Sequence, residues 1–524
     1  MSAAVPPKTV LVLLCPEVAL NLTEIEAGLR KREPRVHVEI VPHLEKRLHV
    51  VEDLIRASGA AHLVLGLCSE RGSTARLQAH ARRAGLDPLS VEVLELSAWA
   101  ASVRPQGRAT AQAVVLLSAA VGRAMAFPGS QPANVKPYLP PRLSRRALFT
   151  LSSLEYRGVP SVWTQRCVAR RGCRLCVEAC PRKALDVEGG RVVLDKMACD
   201  GCGLCVSACP REALAFPGYA PAQLAAQVEV LLDPTLTDLW PRGILFVCRN
   251  TAASLAKQAQ RDGGLPAGWL PVTLPCLGMV LPAWILACLA RGAHAVALAP
   301  CPGRCPFAQD KTIAGRAAYV QELLHHLGDL PDRVSVVKAL SELPPLPETA
   351  PHPETVSSSL PVVPVTPAAS AQVHVHLGQV AGTLSDIAFS HPHAPFGLIR
   401  VTDGCTGCGV CAAACPSEAL VLEHANGRLR LSFEAALCTA CAQCLPACPE
   451  KAQGVLELER ATNLERLAAG RVVLHEDHEW RCESCGAPIA PARMLQRIEA
   501  LLGDEHAATL GVITRYCPQC RLLE

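Results

Sequence analysis

The sequence predicts a multidomain protein of mixed class, α/β plus α+β. It should contain two parallel α/β domains, two compact cysteine-rich modules and a small C-terminal unit with four more cysteines. Three observations carry that reading. The chain has 524 residues, which at about 150 per domain asks for three or four domains. Its 27 cysteines are clustered rather than spread. In two stretches, short apolar runs alternate with amphipathic ones, the pattern of parallel strands joined by crossover helices.

Composition excludes several classes. A net charge of +4 and 4% aromatic residues argue against a nucleic-acid binder, which needs a basic stripe and stacking platforms. The apolar run from Val10 to Cys15 is cut off by Pro16 and Glu17, too short for an export signal, and Leu13-Leu14 is unlike a lipoprotein site. The charge-free stretch from Gly263 to Ala290 is interrupted by Pro266, Pro271, Pro275 and Pro282. It reads as a buried strand and a core helix rather than a membrane span. The expectation is a cytoplasmic protein whose thiols bind metal instead of forming a disulfide framework.

Along the chain, residues 1–127 form the first α/β domain. Its strands are Thr9–Cys15, Val36–Val41, His62–Cys68 and Val91–Leu96, with helices such as Leu48–Ser58 and Thr74–Ala84. A proline-rich joint from Pro128 to Pro141 leads into the first cysteine-dense module, 142–217. Residues 221–340 are the second α/β domain, with strands Gly243–Cys248, Trp269–Cys276, Ala293–Cys301 and Val334–Val337. Residues 341–372, rich in Pro, Ser and Thr, read as an extended linker. The second cysteine-dense module spans 373–455, and 456–524 close the chain with a helix and four cysteines.

One phrase occurs four times: Ala179-Cys-Pro-Arg-Lys-Ala-Leu185, then Ala208–Leu214, Ala414–Leu420 and, more weakly, Ala447–Gln453. Each copy ends a cysteine run. Cys199, Cys202, Cys205 and Cys209 have the spacing C-x2-C-x2-C-x3-C-P, as do Cys405, Cys408, Cys411 and Cys415, and Cys438, Cys441, Cys444 and Cys448. The run of Cys167, Cys173, Cys176 and Cys180 widens its first gap to five residues. Thiolates two residues apart let one tight loop wrap three corners of a cubane while its N–H groups point at sulfur. Gly201, Gly203, Gly407 and Gly409 permit that close wrapping.

The fourth cysteine, before proline, ligates the other cluster of a pair. The expected [4Fe–4S] sets are therefore Cys167, Cys173, Cys176 with Cys209, and Cys199, Cys202, Cys205 with Cys180. In the second module they are Cys405, Cys408, Cys411 with Cys448, and Cys438, Cys441, Cys444 with Cys415. Zinc or disulfides would also use thiols, but repetition of this spacing favours the clusters. Each module resembles a bacterial-type two-cluster ferredoxin. The first is also basic: from Arg142 to Lys196 twelve Arg and Lys residues face five acids. That excess compensates anionic clusters, or offers a docking face to an acidic redox partner.

In the second α/β domain, Cys248, Cys276 and Cys301 end strands, and Cys305 lies just beyond. Strand ends of a parallel sheet share one edge, so these thiols can converge. Residues alone leave two readings open: a four-thiolate [2Fe–2S] site, or cysteines buried in an apolar core. The segment resembles the delta subunit of methyl-viologen-reducing hydrogenase. The likeness lies in Phe246-Val-Cys248, Leu274-Pro-Cys276, Ile285–Gly292 and Ala299-Pro-Cys-Pro-Gly-Arg-Cys305. The resemblance implies a [2Fe–2S] cluster on those four cysteines. It also implies a link between hydrogenase or formate dehydrogenase and heterodisulfide reductase. The chain departs from that family after Cys248, where Arg249-Asn250-Thr251 replaces a second cysteine and an aromatic residue.

The first domain resembles the amino-terminal domain of the flavin-carrying subunit of heterodisulfide reductase, in His62–Ser73 and Ala84-Gly-Leu-Asp-Pro88. No G-x-G-x-x-G follows a strand, so neither FAD nor NAD is inferred, and no Walker A loop, H-E-x-x-H or nucleophile elbow is present. No substrate site of the chain's own is visible. Cys15 and Cys68 end neighbouring strands and read as buried structural thiols rather than a redox pair.

Cys482-x2-Cys485 and Cys517-x2-Cys520 are two knuckles separated by 31 residues, the pattern of a zinc-ribbon-like unit, with mononuclear iron as the alternative metal. Between them Pro491–Leu502 reads as a helix with an apolar face of Met494, Leu495, Ile498 and Leu501, while His475 and His478 read as surface residues. The sum is four [4Fe–4S] clusters, one [2Fe–2S] cluster and one zinc. That cofactor set suits a protein relaying electrons between a hydrogenase- or formate-dehydrogenase-like partner and another oxidoreductase. The alternative is a non-catalytic scaffold, maturation or redox-sensing protein.

Overall fold

The computed structural model describes residues 9–68, 74–138, 154–261, 264–301, 303, 305–348, 360–503 and 506–522. These fall into two compact units. One is Met1–Cys167, Leu175–Glu188 and Val192–Val365; the other is Val168–Arg174, Gly189–Arg191 and Thr366–Glu524.

In the first unit, β1 (Val10–Leu14), β2 (Val36–Ile40), β3 (His62–Leu67) and β4 (Val91–Glu95) form a parallel sheet in the order β2-β1-β3-β4. Alternation along β1 explains its unbroken apolar run. Val10, Val12 and Leu14 enter a core with Ile25, Leu29, Ala113 and Leu117 of helices Leu22–Arg32 and Ala109–Met125. Leu11 and Leu13 enter the opposite core with Val51, Ile55 and Leu77 of helices Leu48–Ser58 and Thr74–Arg83. A strand covered on both faces needs apolar residues at every position.

The second parallel sheet has the order β6-β5-β7-β8, from β5 (Gly243–Cys248), β6 (Trp269–Leu274), β7 (Ala295–Ala299) and β8 (Val334–Val336). Gly263–Ala290 accordingly supplies β6 and the helix Pro282–Ala290 over its described residues. No helix among the described residues is long and apolar enough to cross a membrane. Gln112, fully buried, joins the two α/β domains: Nε2 donates to the carbonyls of Trp99 (2.9 Å) and Trp269 (3.1 Å), and Oε1 accepts from Gly268 N–H at 3.0 Å. The cysteine-rich stretch between these domains is nearly all loop, with short antiparallel pairs such as Ser161–Val162 with Leu214–Ala215.

The stretch 341–372 departs from an extended linker at both described ends. Pro344 O accepts from Trp269 Nε1 at 3.1 Å, and Pro364 O from Trp284 Nε1 at 2.9 Å. Leu360, Val362 and Val363 are buried. Proline lacks a donor but keeps its carbonyl, so a proline-rich strap docks through acceptors. Thr366 then caps the helix Pro367–Ala381, accepting from Ala369 N–H. Residues 349–359 lie outside the described residues.

The second unit is antiparallel. β9 (Ala388–Ser390) and β10 (Gly397–Val401) flank β13 (Leu456–Asn463). A second sheet runs β11-β12-β14-β15, from β11 (Leu420–Ala425), β12 (Arg428–Glu434), β14 (Arg471–Arg481) and β15 (Pro488–Pro491). Strands from 456–524 thus complete both sheets begun within 373–455. The helix of the C-terminal segment starts at Ala492, with Pro491 as its cap, and of its expected apolar face Leu495 is buried while Leu501 is 64% exposed.

Candidate metal centres

The recurring phrase has a structural reason. After Cys180-Pro and Cys209-Pro the chain turns through a left-handed residue, Lys183 (φ 50°) or Glu212 (φ 48°). The turn brings the next N–H back to the cysteine: Ala184 N–H donates to Cys180 Sγ and Ala213 N–H to Cys209 Sγ, both at 3.3 Å. The following leucine enters a strand. Glu418 takes the same left-handed turn at φ 60° after Cys415.

Burial first, then the neighbouring thiols Cys199 and Cys180, push Cys202 up to about 11. Burial likewise raises Cys199 and Cys205, each also facing Cys180. Cys199 and Cys180 also share one buried cluster with Val159 and Ala184. Cys209 is raised by burial and feels Cys167; Cys173 belongs to the segment Val168–Arg174, which groups with the second unit. Ion pairs within the basic stretch include Arg182 with Asp200 and Arg157 with Glu155, so part of its charge is compensated locally.

In the second unit, Cys405, Cys408, Cys411 and Cys448 line one pocket, with Leu422, Leu431 and Val455 as apolar walls. Cys411 is pushed up to about 12 by burial, then by Cys405 and Cys408. Cys438 rises to about 11 and Cys444 to about 12, through burial and then thiols including Cys415 and Cys441. In the last run Ala440 and Ala442 stand where the runs Cys199–Cys205 and Cys405–Cys411 have glycine, yet they hold φ of 51° and 60°. Non-glycine residues there cost about 1–2 kcal/mol each, strain of the kind retained at functional sites. Thiols crowded in apolar pockets resist ionising as bare thiolates, because burial and like charge both oppose it. A polynuclear cation shared among them suits this donor set.

The parallel topology does bring Cys248, Cys276, Cys301 and Cys305 to one edge. Cys248 Sγ lies 3.2 Å from Cys301 Sγ, and Cys276, Cys305 and Cys301 share one cluster with Cys202, Leu204 and Phe307. Gly278 N–H donates to Cys276 Sγ at 3.4 Å, and Asn250 Nδ2 lies 3.7 Å from Cys301 Sγ. Burial pushes Cys276 up to about 12, whereas the Cys301 thiol beside Cys248 holds Cys248 below the usual range. The edge also abuts the first module: Arg249 Nη2 reaches the carbonyl of Asp200 at 3.5 Å. Sequence reasoning did not find Asn250 or Arg249, because neither belongs to a spacing pattern.

The sulfurs of Cys482, Cys485, Cys517 and Cys520 all lie within 4.8 Å of one another. N–H groups of Cys517, Cys485 and Ser484 lower Cys482 to about 6, whereas the neighbouring Cys485 thiol pushes Cys520 up to about 12. Four convergent sulfurs suit tetrahedral zinc. His478 is exposed as expected; His475 is buried, since β14 turns it inward opposite Leu431. Cys288 is buried within its helix, pushed up to about 12 and outside every group.

One expectation is corrected. Cys15 and Cys68 are not separate thiols but a disulfide, with Cα atoms 5.9 Å apart. β1 and β3 are adjacent and in register, so the residues just past their ends meet.

Comparison with known families supports the cysteine-rich parts. Residues 244–345 match the methyl-viologen-reducing hydrogenase, delta subunit, and residues 166–223 and 404–452 each match the 4Fe-4S dicluster domain. No curated protein matches the chain. The chain is an iron–sulfur protein whose two [4Fe–4S] modules flank, in sequence, a delta-subunit-like α/β domain, and neither match reaches residues 1–165.

Proposed function

We propose that the chain is a cytoplasmic electron-transfer subunit. It would relay electrons between a hydrogenase- or formate-dehydrogenase-like partner and another oxidoreductase. The single observation that carries this reading is the shared apolar cluster of Cys202 and Leu204 with Cys276, Cys305 and Phe307. Two cysteine-rich loops packed together through apolar contact suit electron transfer between neighbouring centres; storage alone does not require that contact.

In this reading the four ferredoxin sets hold [4Fe–4S] clusters: Cys199, Cys202, Cys205 with Cys180; Cys167, Cys173, Cys176 with Cys209; Cys405, Cys408, Cys411 with Cys448; and Cys438, Cys441, Cys444 with Cys415. Cys248, Cys276, Cys301 and Cys305 hold a [2Fe–2S] cluster. Bound there, the clusters supply one-electron chemistry. The chain's own residues exclude water, ligate, and donate N–H groups to sulfur. Cys482, Cys485, Cys517 and Cys520 hold zinc in a closed, structural site. The basic stretch of the first module would dock an acidic partner.

Anaerobic purification with metal and acid-labile sulfide analysis tests the assignment: full sites require about 18 iron and one zinc per chain. Stepwise reduction followed by EPR should show magnetic interaction between the [2Fe–2S] signal and a [4Fe–4S] signal. Clusters that pass to an apo-protein without sustaining electron flux would overturn the relay in favour of a scaffold.

A further inference from the structure

The Cys15–Cys68 pair stands apart from every run described above, and no family match reaches it. It sits at the carboxyl edge of the first sheet, just beyond β1 and β3. Cys15 is buried at 2% exposure and Cys68 is half-buried, so an incoming reagent meets Cys68 first. Glu17 completes the group. Its Oε2 lies 2.7 Å from Cys15 Sγ and 3.4 Å from Cys68 Sγ. Its Oε1 accepts from His43 N–H at 2.8 Å and lies 3.0 Å from His43 Nδ1.

A carboxylate is a poor neighbour for a permanent crosslink. Disulfide sulfurs carry no proton, so Glu17 has no hydrogen bond to make with them. Opposite a thiol the same contact becomes S–H donating to carboxylate. The arrangement therefore gains its hydrogen bond only when the S–S bond is open, which favours opening of the crosslink.

We propose that Cys15 and Cys68 are a reversible dithiol–disulfide couple that exchanges with thiols, with Cys68 the sulfur attacked and Glu17 the proton carrier for Cys15. A reductant thiol gives up its proton, its sulfur bonds to Cys68 Sγ, and the Cys15–Cys68 bond breaks. Cys15 leaves as thiolate and takes a proton through Glu17. A second reductant thiol then attacks the reductant sulfur of the mixed disulfide, releasing Cys68 as a thiol. One protein disulfide and two thiols become two protein thiols and one reductant disulfide, a transfer of two electrons and two protons. In reverse, Glu17 takes the proton from Cys15 as it attacks the mixed disulfide on Cys68. None of this depends on the cluster relay.

The test uses the full-length, cluster-loaded protein in dithiothreitol or glutathione buffers, acid-quenched, alkylated and read at the Cys15 and Cys68 peptides by mass spectrometry. The pair should open and close together, and Glu17→Gln should slow both directions about a hundredfold. Cys15→Ser should capture one glutathione on Cys68, and Cys68→Ser should capture none on Cys15. Iron content reports folding of each variant separately. Equal rates in Glu17→Gln, glutathione on Cys15 instead, or a bond that resists dithiothreitol in the folded protein would each overturn the proposal. So would thiols that become alkylatable only after a chelator removes zinc, which would make the group a metal site.

Discussion

Met279 occupies the space that a side chain on Gly203 would need: a Cβ there would fall 2.3 Å from Met279 Sδ and 2.9 Å from Phe216 Cε1. Gly203 also holds φ at 78°. It stands between Cys202 and Cys205, and Met279 follows Cys276 by three residues, so the close approach fixes the junction of two cysteine loops. Gly203→Ala should therefore cost about 2–5 kcal/mol, from left-handed strain and overpacking together. Lower thermal stability and a weakened EPR interaction between centres should appear together. A variant that keeps that interaction would show the contact to be dispensable.

The edge site offers a cleaner subtraction. Cys248 is the end of β5 and meets Cys301 at 3.2 Å, and no spare thiol follows it, since Arg249-Asn250-Thr251 come next. Cys248→Ser should lower the iron content by about two per chain and leave about sixteen. An unchanged count would remove Cys248 from the ligands.

Cys482→Ser should remove one zinc and no iron. The four sulfurs of that group lie together, distinct from the ferredoxin sets, and the strand that leads to them, β14, is paired with β12 from Arg471 to His478. Loss of the metal should therefore raise hydrogen exchange in helix Ala492–Leu502 while the β12–β14 pairs stay protected. Loss of iron with the zinc would show that the knuckle and the modules fold as one.

These residues also show what a sequence discloses and what it hides. The central strands of both parallel sheets were legible because burial on two faces demands unbroken apolar runs, and Val10–Leu14 or Gly243–Cys248 have no other use for them. The cysteine runs were legible because the spacing that a cubane would impose recurs along the chain. Glu17 was not, since its relation to Cys68 spans 51 residues and arises only when β1 and β3 pair. Nor was the joining of β14 to β12, a long-range pairing that turns a presumed separate tail into part of a sheet. Residues 341–372 misled for a different reason: proline content reports lost donors, whereas Pro344 and Pro364 dock through their carbonyls.

His374 gives the second unit a defined response to acid. It is fully buried in helix Pro367–Ala381, Nδ1 lies 2.7 Å from Ser370 O, and its ring meets Phe396 edge-on at 5.0 Å. Burial lowers its pKa from 6.5 to about 4. Between those values the unfolded chain binds a proton that the folded one refuses, so stability is full above about pH 6.5 and falls as pH drops towards 4. Two and a half units correspond to about 3 kcal/mol. His374→Asn keeps a donor for Ser370 O and cannot titrate, so it should flatten this dependence. Because a multidomain protein need not unfold in one step, hydrogen exchange of helix 367–381 is the measurement, compared between pH 7 and pH 5. After correction for the intrinsic exchange rate, protection in the wild type should decline over that interval by more than tenfold, while the variant should change little. Equal declines in both would place the acid sensitivity elsewhere.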